Sequence, residues 1–155
     1  MQETPHSHQS DQGRVLAMGW TPLGFKKHRG KTIPQVVFTD PDWFFHMYEN
    51  RRFEGRHAVE AEEIYKRATS IKVRQDGKEE LVADYFRDPV TDRFYGISIG
   101  PQSSPRPECR RSFLYRTDVI DLSVPRLFAD YDKSGYRDLI GTLKNHFYGS
   151  TSYKM

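Results

Sequence analysis

Residues 56–86 read RHAVEAEEIYKRATSIKVRQDGKEELVADYF, and the pattern changes character halfway along. Up to Ala68 the spacing is helical: His57, Ala61, Ile64 and Ala68 share one face, with Ala58 and Tyr65 beside them. Glu62 precedes Lys66 by four residues and Glu63 precedes Arg67 by four, the orientation in which ion pairs support a helix. From Ile71 the period falls to two. Ile71-Lys72-Val73-Arg74 alternates, and Gln75-Asp76-Gly77-Lys78 predicts a hairpin turn because Asp-Gly adopts positive φ cheaply. Leu81 to Phe86 then resumes as a strand. A helix that gives way to strands makes the chain α+β.

The flanks extend both halves. Downstream, Phe94 to Ile99 predicts a second strand after the turn Asp88-Pro89-Val90-Thr91-Asp92, with Tyr95, Ile97 and Ile99 on one face and Phe94, Gly96 and Ser98 on the other. Pro101 to Pro107 reads as a loop, and Ser112–Tyr115 and Val119–Leu122 as further strands. Ser123 is placed to cap a short helix with Pro125 in its first turn. A final helix from about Ser134 carries the stripe Tyr136, Leu139, Ile140, Leu143 and Phe147, with Gly149 as its C-cap. Upstream, Thr39-Asp40-Pro41-Asp42 opens a helix through Trp43, Phe44, Phe45, Met47 and Tyr48, with Asn50 as its stop. Val15 to Trp20 reads as a short strand or its lead-in, and residues 1–14, polar and aperiodic, as a disordered tail. The expected organisation is that tail followed by one α+β domain over 15–155: a helical module over 15–69, then an antiparallel meander closed by C-terminal helices over 70–155.

Composition limits what such a chain does. With 155 residues, 36% hydrophobic and 29% charged, it has room for one core of ordinary size and none for a large multidomain enzyme. Aromatics at 14% make up part of the apolar deficit. No apolar run reaches the ~20 residues of a membrane span, so no membrane partner is expected and the default compartment is the cytoplasm. A single cysteine, Cys109, excludes an internal disulfide and a multi-cysteine zinc site.

The net charge of +3 is mild, but its placement is not uniform. Lys26, Lys27, His28, Arg29 and Lys31 crowd one glycine-bounded stretch, and Arg106, Arg110, Arg111 and Arg116 form a second cluster around a proline-rich one. Clustered cations near aromatics suit phosphate contacts. The first stretch, Phe25-Lys26-Lys27-His28-Arg29-Gly30-Lys31-Thr32-Ile33 followed by Asp40-Pro41-Asp42-Trp43-Phe44-Phe45, resembles the small domain at the C-terminus of exodeoxyribonuclease X-like proteins and in phage and mobile-element proteins. The likeness covers roughly residues 18–69. Lys26 stands where that family has glycine, with Gly24 just before Phe25. The resemblance implies a nucleic-acid-associated module, without the nuclease domain that normally accompanies it.

Catalytic signatures are sparse. Asp84, Asp88 and Asp92 flank a strand and turn, but no lysine follows at the spacing of a metal nuclease. His28, His46, His57 and His146 fall in four separate elements, and Cys109 lies among prolines and arginines without an orienting partner. Gly30-Lys31-Thr32 mimics the end of a nucleotide-binding phosphate loop, yet Gly24 is one residue too far away and Pro34 argues against a helix after it. The expectation is therefore a non-catalytic DNA- or RNA-binding accessory protein with no cofactor and no metal. Its candidate phosphate contacts are Lys26, Lys27, His28, Arg29, Lys31, Arg110 and Arg111, with Trp43, Phe44 and Tyr48 as base platforms wherever they are exposed. The alternative is a protein-interaction module, an inhibitor or adaptor acting on a host or phage complex.

Overall fold

The computed structural model describes residues 19–75, 77–105 and 113–148. The tail over 1–14, the apolar residues 15–18, Arg106, Cys109, Arg110, Arg111 and Gly149 lie outside them, as do the side chains of His146 and Phe147. The architecture is α+β. Three helices come first: α1 (Ile33–Thr39), α2 (Pro41–Glu49) and α3 (Gly55–Ala68). Strands β1 (Ile71–Lys72), β2 (Leu81–Arg87), β3 (Phe94–Pro101), β4 (Phe113–Thr117) and β5 (Val119–Ile120) follow, then α4 (Phe128–Tyr131) and α5 (Lys133–Tyr148). The main sheet is antiparallel in the order β3-β2-β4, and β1 pairs antiparallel with β5. Among the described residues no helix is long and apolar enough to cross a membrane.

Local chemistry accounts for the helices. Asp40 caps α2 by accepting from Trp43 N–H at 3.3 Å, and Pro41 occupies the first turn, where its missing N–H costs nothing. On α3 both expected ion pairs form, Glu62–Lys66 and Glu63–Arg67. A helix does follow the basic loop, contrary to the reading of Pro34 as a break. Pro34 sits in the first turn of α1, where proline is pre-organised, and the Gln35 side chain accepts from Thr32 N–H at 2.9 Å.

The strands depart from the sequence pattern in three places. Gly77 has φ 80°, but the two arms around it form no ladder. Instead Ile71 pairs with Ile120, and the Gln75 amide bridges the arms, donating to the carbonyls of Val73 and Leu81 and accepting from Leu81 N–H at 2.7 Å. Between β2 and β3 the register shifts after Phe86, so that Arg87 faces Phe94. This bulge turns Phe94 inward beside Ile97 and Ile99 and leaves Tyr95 46% exposed, the reverse of strict alternation. Finally, Asp121 rather than Ser123 organises the next turn, accepting from Ser123 N–H at 2.8 Å, and α4 starts only at Phe128.

One apolar core joins the two halves. Phe44, Phe45, Ile33, Val36 and Val37 from the helices cluster with Tyr85, Ile120, Leu122, Phe128, Tyr136, Leu139 and Leu143. Polar bonds fix the join. Tyr85 Oη donates to Val119 O at 3.3 Å and accepts from Asp121 N–H at 2.8 Å, and Tyr136 Oη donates to Phe38 O at 3.0 Å. At Gly135 any Cβ would lie 2.7 Å from the Phe128 ring, so only glycine lets α5 start this close to α4.

Candidate nucleic-acid interface

The basic loop is a closed structure. At its base Leu23 N–H donates to Lys31 O at 2.8 Å and Gly30 N–H donates to Leu23 O at 2.9 Å. Lys26–His28 form one 3-10 turn, and Gly30 supplies φ 81°, the left-handed conformation that brings the chain back. The incoming arm is held on α3. Glu60, buried at 7% exposure, accepts from Thr21 N–H, from the Thr21 hydroxyl at 2.6 Å and from Arg56 Nε at 3.0 Å. His57 Nε2 lies 3.2 Å from Pro22 O. Glu60 carried no signal in the sequence, since a carboxylate on an amphipathic helix is ordinarily solvated.

The loop's inner side is aromatic. The rings of Phe25, Trp43 and Phe53 form a triangle with centroids 5.6–6.1 Å apart, each pair edge-on, the arrangement that aligns positive ring edges with negative faces. His28 adds its ring edge-on to Trp43 at 4.6 Å. Trp43 is half-buried in this packing, Phe44 is fully buried, and Tyr48 stacks on Tyr65 at 4.1 Å. These aromatics therefore build the loop's support. The Tyr48 hydroxyl donates to Glu62, and that bond, with smaller help from burial, pushes its pKa up to about 12.

Asp40 is the hub between loop and helix. Its Oδ2 lies 2.7 Å from Lys27 Nζ and 2.9 Å from His28 Nε2, while Oδ1 caps α2. Burial acts to raise the Asp40 pKa, but the bonds from Lys27 and His28 outweigh it and hold the carboxyl below its ordinary 3.8. His28 is 6% exposed and its Nδ1 has no hydrogen-bond partner. The imidazole expected to face phosphate is thus turned into the protein as a strut between Asp40 and Trp43.

What remains outside is cationic. Lys26, Arg29 and Lys31 are exposed and, among the described residues, make no ion pair; Lys27 is 63% exposed while holding Asp40. Two further cations were not anticipated. The aromatic triangle sets the turn carrying Phe53 beside the loop, and Arg51 and Arg52, directly before Phe53, are exposed and unpaired among the described residues. Arg51 has φ 52°. It occupies the left-handed position after α2 where glycine is the usual residue, with Arg51 N–H donating to Tyr48 O and Arg52 N–H to Met47 O. The sequence signal was the run Arg51-Arg52-Phe53 following the Asn50 stop.

Of the second cluster, Arg116 is the member among the described residues, and its charge is matched. Arg116 lies opposite Asp84 in the β2–β4 register and binds it through both prongs, Nε to Oδ1 at 2.7 Å and Nη2 to Oδ2 at 2.9 Å. Its Nη1 donates to the carbonyls of Gln102 and Ser104. The turn carboxylates are likewise occupied. Asp88 accepts from Val90 and Thr91 N–H, which lowers its pKa, and Asp92 pairs with Arg87 at 3.5 Å. Among the described residues no group of three or more His, Cys, Asp or Glu side chains is placed to hold a metal ion. Comparisons with family models, with curated proteins and with solved structures return no match for this chain.

Proposed function

We propose that this protein is a non-catalytic nucleic-acid-binding accessory protein that contacts phosphates through the 25–31 loop and the adjoining Arg51-Arg52 turn. The observation carrying this reading is a set of exposed cations, Lys26, Arg29, Lys31, Arg51 and Arg52, unpaired among the described residues, on a backbone braced by aromatic packing and the Asp40 hub. Cations set close together by a held backbone neutralise phosphates without reading bases, leaving only their side-chain rotamers to be ordered. Arg51 adds a physical argument: a side chain in the left-handed region is held at a cost of about 1 kcal/mol that glycine would avoid. The likeness of residues 18–69 to the exodeoxyribonuclease X-like C-terminal domain points the same way. His28 serves the loop from inside, and Lys27 divides its charge between Asp40 and solvent.

Gel-shift titration of labelled DNA and RNA at low salt tests this. Wild type is expected to shift both with weak sequence preference, and Lys26→Glu with Arg29→Glu to abolish the shift while the circular dichroism spectrum stays unchanged. A wild type that shifts neither at low salt rejects the reading in favour of a protein partner.

A further inference from the structure

A groove of about 870 Å3 lies between the end of α1 and one face of α5. Its floor is apolar, made by the partly buried Phe38, Ala129 and Ile140. Its rim carries Lys133, Arg137 and Lys144, spaced so that all three fall on one stripe of α5. None of them has an ion-pair partner among the described residues, and Asp138 is the one carboxylate in the lining. The chain links groove and loop through one residue: Thr39 lines the groove, and the next residue, Asp40, holds Lys27 of the loop at 2.7 Å. Tyr136, also in the lining, has its phenol pKa pushed up by burial and then by the Asp40 charge, and its hydroxyl donates to Phe38 O at 3.0 Å.

We propose that this groove continues the phosphate track of the loop and that the ligand it takes is a single strand of nucleic acid. The inference rests on the loop reading and assigns it a strand class. A duplex keeps its base faces stacked inside and offers a protein surface mainly phosphates, so an apolar floor gains nothing from it. A single strand offers both: phosphates for Lys133, Arg137 and Lys144, and unstacked base faces for Phe38 and Ile140. Three cations against one carboxylate give the rim the sign a phosphate backbone requires.

Fluorescence anisotropy with labelled oligothymidylate, alone and annealed to oligoadenylate, decides the matter when wild type is compared with Lys133→Gln/Arg137→Gln/Lys144→Gln and with Lys26→Gln/Arg29→Gln. The groove variant is expected to lose roughly tenfold or more in single-strand affinity. Its log–log salt slope should fall by about two, from about 0.7 per lost contact, with a smaller loss on the duplex. Thermal melts check folding, and if the triple variant melts early, Arg137→Gln alone carries the test with an expected slope change of about 0.7. Wild-type binding by the groove variant, with loss only in the loop variant, overturns the groove proposal and leaves the loop reading intact. Loss in the groove variant alone overturns the loop reading and keeps the groove. Equal losses on single strand and duplex overturn the strand assignment, and absence of wild-type binding to either ligand overturns both.

Discussion

Arg29 and Arg116 come from the two basic clusters that flank glycine and proline in the sequence, and the fold uses them in opposite ways. Arg116 crosses from β4 to Asp84 on the central strand, closes a two-pronged pair and adds two carbonyls. Arg29 stands on the surface with no partner among the described residues, while the neighbouring Lys27 and His28 turn to Asp40 and anchor the loop beneath it. A run of basic residues in a sequence is therefore not a site. It becomes one where the carboxylates are too few or too far to neutralise it, and where the backbone presents the charge without flexing. Lys26, Arg29 and Lys31 have no ion-pair partner among the described residues and stand on a hydrogen-bonded loop, whereas the charge of Arg116 is matched where the strand pairing puts it.

The largest effect that would break this contrast is on the loop's support. Trp43→Ala removes the ring shared by Phe25, Phe53 and His28 and is expected to cost about 3 kcal/mol, with binding lost only through unfolding. Urea denaturation followed by circular dichroism measures it. On the sheet side, Asp84→Ala leaves Arg116 with its carbonyls but without its counter-ion, and an expected loss on the order of 2 kcal/mol should appear in the same experiment with nucleic-acid affinity per folded molecule unchanged. A comparable loss of affinity there would make Arg116 part of the interface.

Arg51→Gly sharpens the comparison because stability and binding are expected to move in opposite directions. Glycine relieves the left-handed backbone, so the variant should gain up to about 1 kcal/mol while binding phosphates more weakly. A destabilised Arg51→Gly would mean that the side chain packs rather than waits for a ligand. Smaller again is the pH response of the hub. Asp40 titrates below its ordinary 3.8 in the folded chain, so its contribution is full above that value and disappears as pH falls through the lower folded one. Melting curves from pH 5 to pH 2 should show a steeper decline for wild type than for Asp40→Asn, which has no carboxyl to protonate. The smallest effect belongs to Lys27→Ala: its side chain is 63% exposed, and losing the pair is expected to cost less than about 0.5 kcal/mol.

Much of the fold is legible in the residues themselves. The caps and spacing of α2 and α3 are local chemistry, which is why Asp40-Pro41 and the Glu62–Lys66 pair reveal them. Pairing partners are not local. Nothing within Ile71–Lys72 distinguishes a hairpin with β2 from a ladder with β5, and the bulge after Phe86 overrides an alternation that by itself points Tyr95 inward. The basic loop is visible as composition, but the division of labour within it is not. Lys26 and His28 stand two residues apart, and only the position of Asp40 and Trp43 in space decides that one faces solvent and the other the core. Arg51 and Arg52 join the loop through Phe53, a contact between residues far apart along the chain.

The central claim is that unpaired loop cations meet phosphates, and its most direct test is the salt dependence of binding. The logarithm of the association constant for a labelled oligonucleotide, plotted against the logarithm of salt concentration, gives a slope set by the number of phosphates neutralised. For Lys26→Ala/Arg29→Ala the slope should be shallower than that of wild type by about 1.4 on a single strand, or about 1.8 on a duplex, with an unchanged melting temperature. A folded double variant with the wild-type slope would show that these cations touch no phosphate and would contradict the claim.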